Sequence, residues 1–164
     1  MLSSRLESEQ DILVACEKAI RLAPTQFPHT LPASKELLEA PEWYPFELEA
    51  WPVGESVRHA FICSPRLKKR ENILAKVVDV ATYRNLRRGR QSFVMALGFV
   101  AACHYAERLA VFLGDPDVDG QVLDTLIKMK APGHAREVTL MLQSNEAWIR
   151  KLAMKYLDRY SRSR

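Results

Sequence analysis

Apolar positions recur with helical spacing along almost the whole chain, and no stretch alternates apolar and polar residues as a half-buried strand would. Ser4 and Glu7 have the spacing of a capping box. The helix they predict sets Leu6, Leu13, Cys16, Ile20 and Ala23 on one stripe before Pro24 stops it. Residues 24–54 are cut by Pro24, Pro28, Pro32, Pro41, Pro45 and Pro52, which predicts a turn over 34–40 and a short helix through "EWYPFELEA". A second short helix, "ESVRHAFIC", runs to Pro65. From Arg66 the punctuation becomes regular. "ENILAKVVDVATYRNLRR" is expected as one helix ending at Gly89 and "QSFVMALGFVAAC" as the next. After a break at Gly114–Asp117, "VDGQVLDTLIKM" ends at Ala131–Gly133, and the last pair is "HAREVTLMLQ" with "SNEAWIRKLAMKYLDRY".

Shifted against itself by 30 residues, the chain repeats. The polar turn residues Asn85, Asp115 and Asn145 coincide, as do Phe93, Leu123 and Ala153, then Leu97, Ile127 and Leu157. Val80, Ala110 and Leu140 fall in register in the preceding helices. Arg90 matches Arg150, with Gly120 between them as the exception. Three copies of a helix pair follow, none able to bury its apolar stripe alone, so that neighbours stack and share a core. The turn residues are expected to accept hydrogen bonds from free N–H groups at the next helix start. The nearly all-apolar Phe93–Cys103 is expected as a helix covered on both sides.

In the third copy, "NEAWIRKLAMKYL" resembles the second helix of a HEAT-like repeat. Asn145 stands at the turn, Ile149–Arg150 as the aliphatic–Arg pair, Ala153 as the small residue and Leu157 as the leucine beyond it. "RQSFVMALG", Arg90–Gly98, is similar to the same helix; the middle copy departs, with Gly120 for the arginine and Asp119 for the aliphatic. Covering about residues 70–160, the resemblance implies an all-α fold: an αα-superhelix of about three HEAT-like helix pairs. Residues 1–65 would be an N-terminal helical cap, 66–160 the repeats and 161–164 a basic tail. It also implies that Arg90 and Arg150 bond turn residues of their own or an adjacent copy. HEAT-like arrays serve as scaffolds, transport receptors, regulatory adaptors, lyases on pigment-binding proteins and, in one group, DNA-alkylation repair glycosylases, so the architecture alone does not choose among them.

Composition narrows the setting. The 164 residues suit one domain, and a formal charge of +4 permits an acidic partner without requiring one. "MLSSRLESEQ" lacks the apolar region of a secretory signal, and the longest apolar run, "FVMALGFVAAC", is about half a membrane span. Cys16, Cys63 and Cys103 lie in apolar surroundings without a CxxC pair and are expected as buried thiols of a reducing compartment. These features together predict a soluble, cytoplasmic protein that does not engage a membrane.

Two stretches carry candidate binding chemistry. Residues 66–90 concentrate Arg66, Lys68, Lys69, Arg70, Lys76, Arg84, Arg87, Arg88 and Arg90 against Glu71 and Asp79. Arg84, Arg87 and Arg88 have the spacing of one helical face and form either a phosphate-tracking strip, extended by Arg159, Arg162 and Arg164, or a solvated helix end. "PEWYPFELEAWP" sets Trp43, Tyr44, Phe46 and Trp51 among Glu42, Glu47 and Glu49. It predicts plugs at the end of the stack, with Tyr44 exposed and an acidic rim around it.

Enzymatic constellations are poor. His29, His59, His104 and His134 lack metal-ligand spacing, and no HExxH, glycine-rich phosphate loop or GxSxG is present. No cofactor or metal is expected. His59 and Cys63 share a helix face, but Phe61 and Ile62 beside the cysteine favour an inert thiol. Asp115, Asp117 and Asp119 mimic a calcium loop, yet Leu126 would fill its twelfth position. Trp148, Asp115 and Arg150 are the aromatic–Asp–Arg set that glycosylase chemistry would require. The expected function is a non-catalytic adaptor or regulatory scaffold whose partner is another protein, through Arg84, Arg87, Arg88, Arg90, Tyr44 and Glu47. A nucleic-acid-binding HEAT-like protein and a HEAT-like lyase are the alternatives.

Overall fold

The first helix starts at Ser8 rather than Ser4. Ser8 Oγ accepts from the Asp11 amide at 3.1 Å, and the Asp11 carboxylate accepts from the Ser8 amide at 2.9 Å, which closes a reciprocal cap one turn later than expected. The computed structural model describes residues 6–25 and 43–160, so Ser4, the turn expected over 34–40, Arg162 and Arg164 lie outside the described residues. Every regular element among them is helical: α1 (Glu9–Leu22), α2 (Pro45–Cys63), α3 (Glu71–Ala81), α4 (Gln91–Ala96), α5 (Ala106–Ala110), α6 (Asp119–Met129), α7 (Ala135–Leu140) and α8 (Ala147–Tyr160), with short 3-10 turns between some of them.

Three boundaries differ from the periodic expectation. The two short helices expected on either side of Pro52 are one, α2. Pro45 suits the first helical position, and the bond that Pro52 cannot donate would go to the carbonyl of Leu48, an exposed residue that water reaches. The helix expected to run to Gly89 ends at Ala81, and residues 84–90 tighten into 3-10 geometry broken at Arg87, where φ is 47°. The all-apolar helix expected over 93–103 stops at Ala96. The chain turns at Leu97–Phe99, and the Phe99 ring meets Phe61 of α2 edge-on, with centroids 6.0 Å apart.

Helix contacts run α1–α3–α5 through one layer and α2–α4–α6–α8 through the other, with α1 on α2, α3 on α4, α5 on α6 and α7 on α8 across them. In the segment expected as a cap, α1 and α2 pack on each other and on α3 and α4. The register residues Phe93, Leu123 and Ala153 are all fully buried, and Leu97 and Ile127 are buried beside them. Leu140, in contrast, is exposed where its counterparts Val80 and Ala110 are buried.

Close approaches within the layer of α2, α4, α6 and α8 rest on two glycines. A Cβ on Gly54 would fall 2.1 Å from Ser92 Oγ and 2.7 Å from the Phe93 ring, so the α2 backbone packs directly on these two α4 side chains. A Cβ on Gly120 would fall 2.0 Å from the Trp148 ring, whose outer edge is against the start of α6. Tyr156 completes the docking of α8: fully buried, it donates to the Ala131 carbonyl at 2.8 Å and accepts from the His134 amide at 3.2 Å.

Candidate functional site

The expected phosphate strip is folded inward. Arg88 and Arg90 are 5% and 1% exposed, Arg87 is mostly covered, and Arg84 alone of the four points to solvent. The 3-10 geometry of residues 84–90 takes them off a common helical face. Each guanidinium then faces a carboxylate from another part of the chain. Arg87 forks onto Asp117, Nε to Oδ2 at 3.3 Å and Nη2 to Oδ1 at 3.4 Å. Arg90 Nη2 donates to Asp115 Oδ2 at 2.5 Å and its Nε to the Arg87 carbonyl at 3.1 Å. Arg88 Nε lies 3.7 Å from Asp117 Oδ1, and Arg84 Nη1 3.6 Å from Asp115 Oδ2.

Glu47, expected on an acidic rim, is fully buried. Its carboxylate accepts from the Tyr44 amide at 2.7 Å, closing the start of α2, and from the Arg88 amide at 3.1 Å, with Arg87 Nε 3.9 Å away. Gly89 permits this approach, since a Cβ there would fall 2.9 Å from the Ala50 Cβ and 3.1 Å from the Glu47 Cα. Rings line the same junction. Arg87 lies over Tyr44 at 5.4 Å and Arg88 over Trp43 at 5.7 Å, while Arg84 and Arg90 both lie over Phe112 at 4.8 and 4.7 Å. Tyr44, expected in solvent, is half-buried and stacked on Phe46; Trp43 and Trp51, expected as plugs, are also only half-buried.

Burial disfavours the charge on Arg87, but Asp117 and Glu47 outweigh it and raise its pKa; on Arg90 burial wins over Asp115 and the pKa is lowered. Arginine stays protonated in either case. A cavity of about 420 Å³ opens beside Arg84, Arg90, Asp115 and Asp117, where the two charges of each sign balance.

The turn positions behave unequally. Asp115 Oδ1 accepts from the Asp117 amide at 3.1 Å, as an N-terminal turn residue should. Asn85 instead donates weakly to the Pro24 carbonyl, at 3.5 Å. At the third turn it is Ser144 Oγ that accepts from the Glu146 amide, while the Ser144 and Asn145 carbonyls accept from Arg150 at 2.7 and 2.9 Å. Arg90 therefore bonds its own turn and the next one, and Arg150 bonds its own.

Among the cysteines only Cys16 is buried, its thiol pushed up to about 12 by desolvation; Cys63 and Cys103 are exposed, against expectation. Cys63 Sγ does approach His59, but lies 3.7 Å from Nδ1 and 3.6 Å from Nε2. A sulfur equidistant from both ring nitrogens sits off either lone pair, which is poor geometry for proton transfer. Among the described residues no three His, Cys, Asp or Glu are grouped to hold a metal ion, and no helix is long and apolar enough to cross a membrane. Trp148, Asp115 and Arg150 do not converge: Asp115 is held by Arg84 and Arg90, Arg150 by its own turn, and Trp148 lines a different recess.

That recess escaped the sequence reading. Trp148, Lys151, Leu152 and Lys155 of α8 form a second face at i, i+3, i+4 and i+7, beside the buried stripe of Ile149, Ala153 and Tyr156. With Met95 of α4 and Gln121 and Asp124 of α6 they line a mainly apolar groove of about 380 Å³. Trp148 is 44% exposed even though one part of its ring is pressed on Gly120. The available signal was Gly120 itself, the position where the repeat loses its arginine. Compared with protein-family models, with curated proteins and with solved structures, the chain matches none.

Proposed function

We propose that this chain is a non-catalytic, HEAT-like binding module that presents the exposed α4–α6–α8 face to another protein. The observation that carries the proposal is Trp148: a large aromatic side chain, anchored on Gly120 and left open to solvent beside an apolar groove. A half-exposed, immobilised tryptophan loses little conformational freedom on binding, and such residues dominate protein interfaces. Helix pairs in two layers and arginines that bond successive turns support the HEAT-like reading of the architecture. A cytoplasmic adaptor or scaffold is the corresponding role. Nucleic acid draws less support than it did from sequence, because the cations of residues 84–90 face carboxylates and only Arg84 is exposed.

The test is a photo-crosslinking amino acid placed at Lys151, in the groove, and separately at Arg136, on the exposed surface of α7. The expected result is one discrete protein joined to the first position and not the second, and reconstituted with purified components. Its absence from a Trp148→Ala background completes the expectation. Equal crosslinking at both positions, or a nucleic acid recovered in place of a protein, would remove the proposal.

A further inference from the structure

We infer that the α4–α6–α8 groove recognises an acidic amphipathic segment of its partner, with one large apolar side chain on Trp148 and flanking carboxylates on Lys151 and Lys155. The inference rests on the protein-binding reading and adds the chemistry of the occupant. The floor and walls supply the apolar part: the open side of the Trp148 ring, Leu152 one turn further along α8, and Met95 across from α4. A groove of about 380 Å³ is at the small end of specific binding pockets and suits a side-chain anchor rather than a whole ligand.

The rim supplies the charge. Lys151 and Lys155 are both exposed at the groove edge. Asp124, the carboxylate lining it, is already held by Lys128 at 2.6 Å. Three ammoniums against one carboxylate leave the rim cationic, and the spacing of Lys151 and Lys155 by four residues matches carboxylates one helical turn apart on an incoming helix. A second copy of this chain would set like charges against each other. A single nucleic-acid strand could stack a base on Trp148, but two lysines on a mainly apolar groove give its backbone little to follow.

The deciding measurement is fluorescence anisotropy of labelled amphipathic peptides titrated with the full chain. One peptide carries leucine and phenylalanine on one face flanked by glutamates, one has the glutamates replaced by lysines, and one has the apolar face replaced by serines. A single-stranded oligonucleotide serves as the polyanion. The glutamate peptide is expected to bind at least about tenfold more tightly than the others. Both Lys151→Glu/Lys155→Glu and Trp148→Ala should weaken it by about tenfold or more, with the folded state of each variant confirmed by circular dichroism. Because both lysines are exposed, the charge-reversed variant keeps its fold and should now prefer the lysine peptide.

Equal binding of the glutamate and lysine peptides, still lost on Trp148→Ala, would overturn the acidic occupant while leaving a protein-binding groove. Tighter binding of the oligonucleotide, or no binding of any peptide, would also overturn it. In the last case crosslinking at Lys151 decides separately whether the protein-binding reading survives.

Discussion

Two basic regions of this chain turn their positive charge in opposite directions. At the junction of residues 84–90 the cations face inward: Arg87, Arg88 and Arg90 meet Glu47, Asp115 and Asp117 over aromatic rings. On α8, Lys151 and Lys155 flank a hydrophobic groove and face water. The junction is the more densely basic in sequence and the less available in space. A guanidinium fits this buried role because it is planar, forks onto carboxylates and holds its proton, whereas an ammonium is more strongly hydrated and stays outside. A run of arginines therefore reports on structure until its carboxylates are counted, and isolated lysines beside an apolar surface are the better indication of a binding face.

The sharpest way to break this comparison is to strip the junction of one partner. Asp115→Ala leaves Arg90, 1% exposed, without its principal counter-charge, and should cost about 3–5 kcal/mol of stability in urea denaturation. A cost below about 1 kcal/mol would mean that the junction is a hydrated surface cluster after all. Next in size is Gly120→Ala, which forces the Trp148 ring off α6 and should cost about 1–3 kcal/mol. In a Trp148→Ala background the same substitution should become nearly neutral, so a double-mutant cycle that is simply additive would deny the contact.

Arg87 offers a smaller and cleaner test. Its φ of 47° and ψ of −127° favour glycine, so Arg87→Gly and Arg87→Ala lose the same bonds to Asp117 but differ in backbone strain. The glycine variant should be the more stable by about 1 kcal/mol or more; the reverse order would remove the strained turn. Last comes the cap of α1. Ser8→Ala should cost about 1 kcal/mol. The hydrogen bonds from Ser8 hold the Asp11 carboxyl below the usual range. Its contribution is therefore complete above the ordinary aspartate pKa and disappears as the pH falls through the lowered one. An acid titration of the Ser8→Ala variant should show a smaller loss, since the amides of residues 7 and 8 still donate to Asp11.

The helical class was visible in the spacing of apolar residues, and the core could be read at Phe93, Leu123 and Ala153 because all three are fully buried in equivalent places. The same 30-residue offset contained the Arg87–Asp117 contact, since residues one period apart lie in neighbouring turns. What periodicity could not supply were features set by a distant neighbour. Pro52 looks like a boundary, yet α2 continues through it because the missing bond falls at exposed Leu48. Phe99 continues an apolar run in sequence, but Phe61 draws it out of the helix. Glu47 reads as surface because its partners, the Arg87 guanidinium and the Arg88 backbone amide, are about 40 residues away in the chain. The groove was missed for the same reason: Trp148 and Gly120 explain each other only once they are in contact.

The bonds of Arg87 and Arg90 to Asp117 and Asp115 also bind one edge of the array like the spine of a book. Glu47 extends that binding to α2, so the first three turns are stitched together by charge. Arg150 stitches only its own turn, and α8 is held to α6 by the fit of Trp148 on Gly120 and a long bond from Arg159 to the Ile127 carbonyl at 3.4 Å, and to the segment after α6 by the Tyr156 hydroxyl. The last page thus turns on shape rather than charge. Loss of a carboxylate would loosen the spine, whereas the jaws of the groove answer to whatever fills the space above one indole ring.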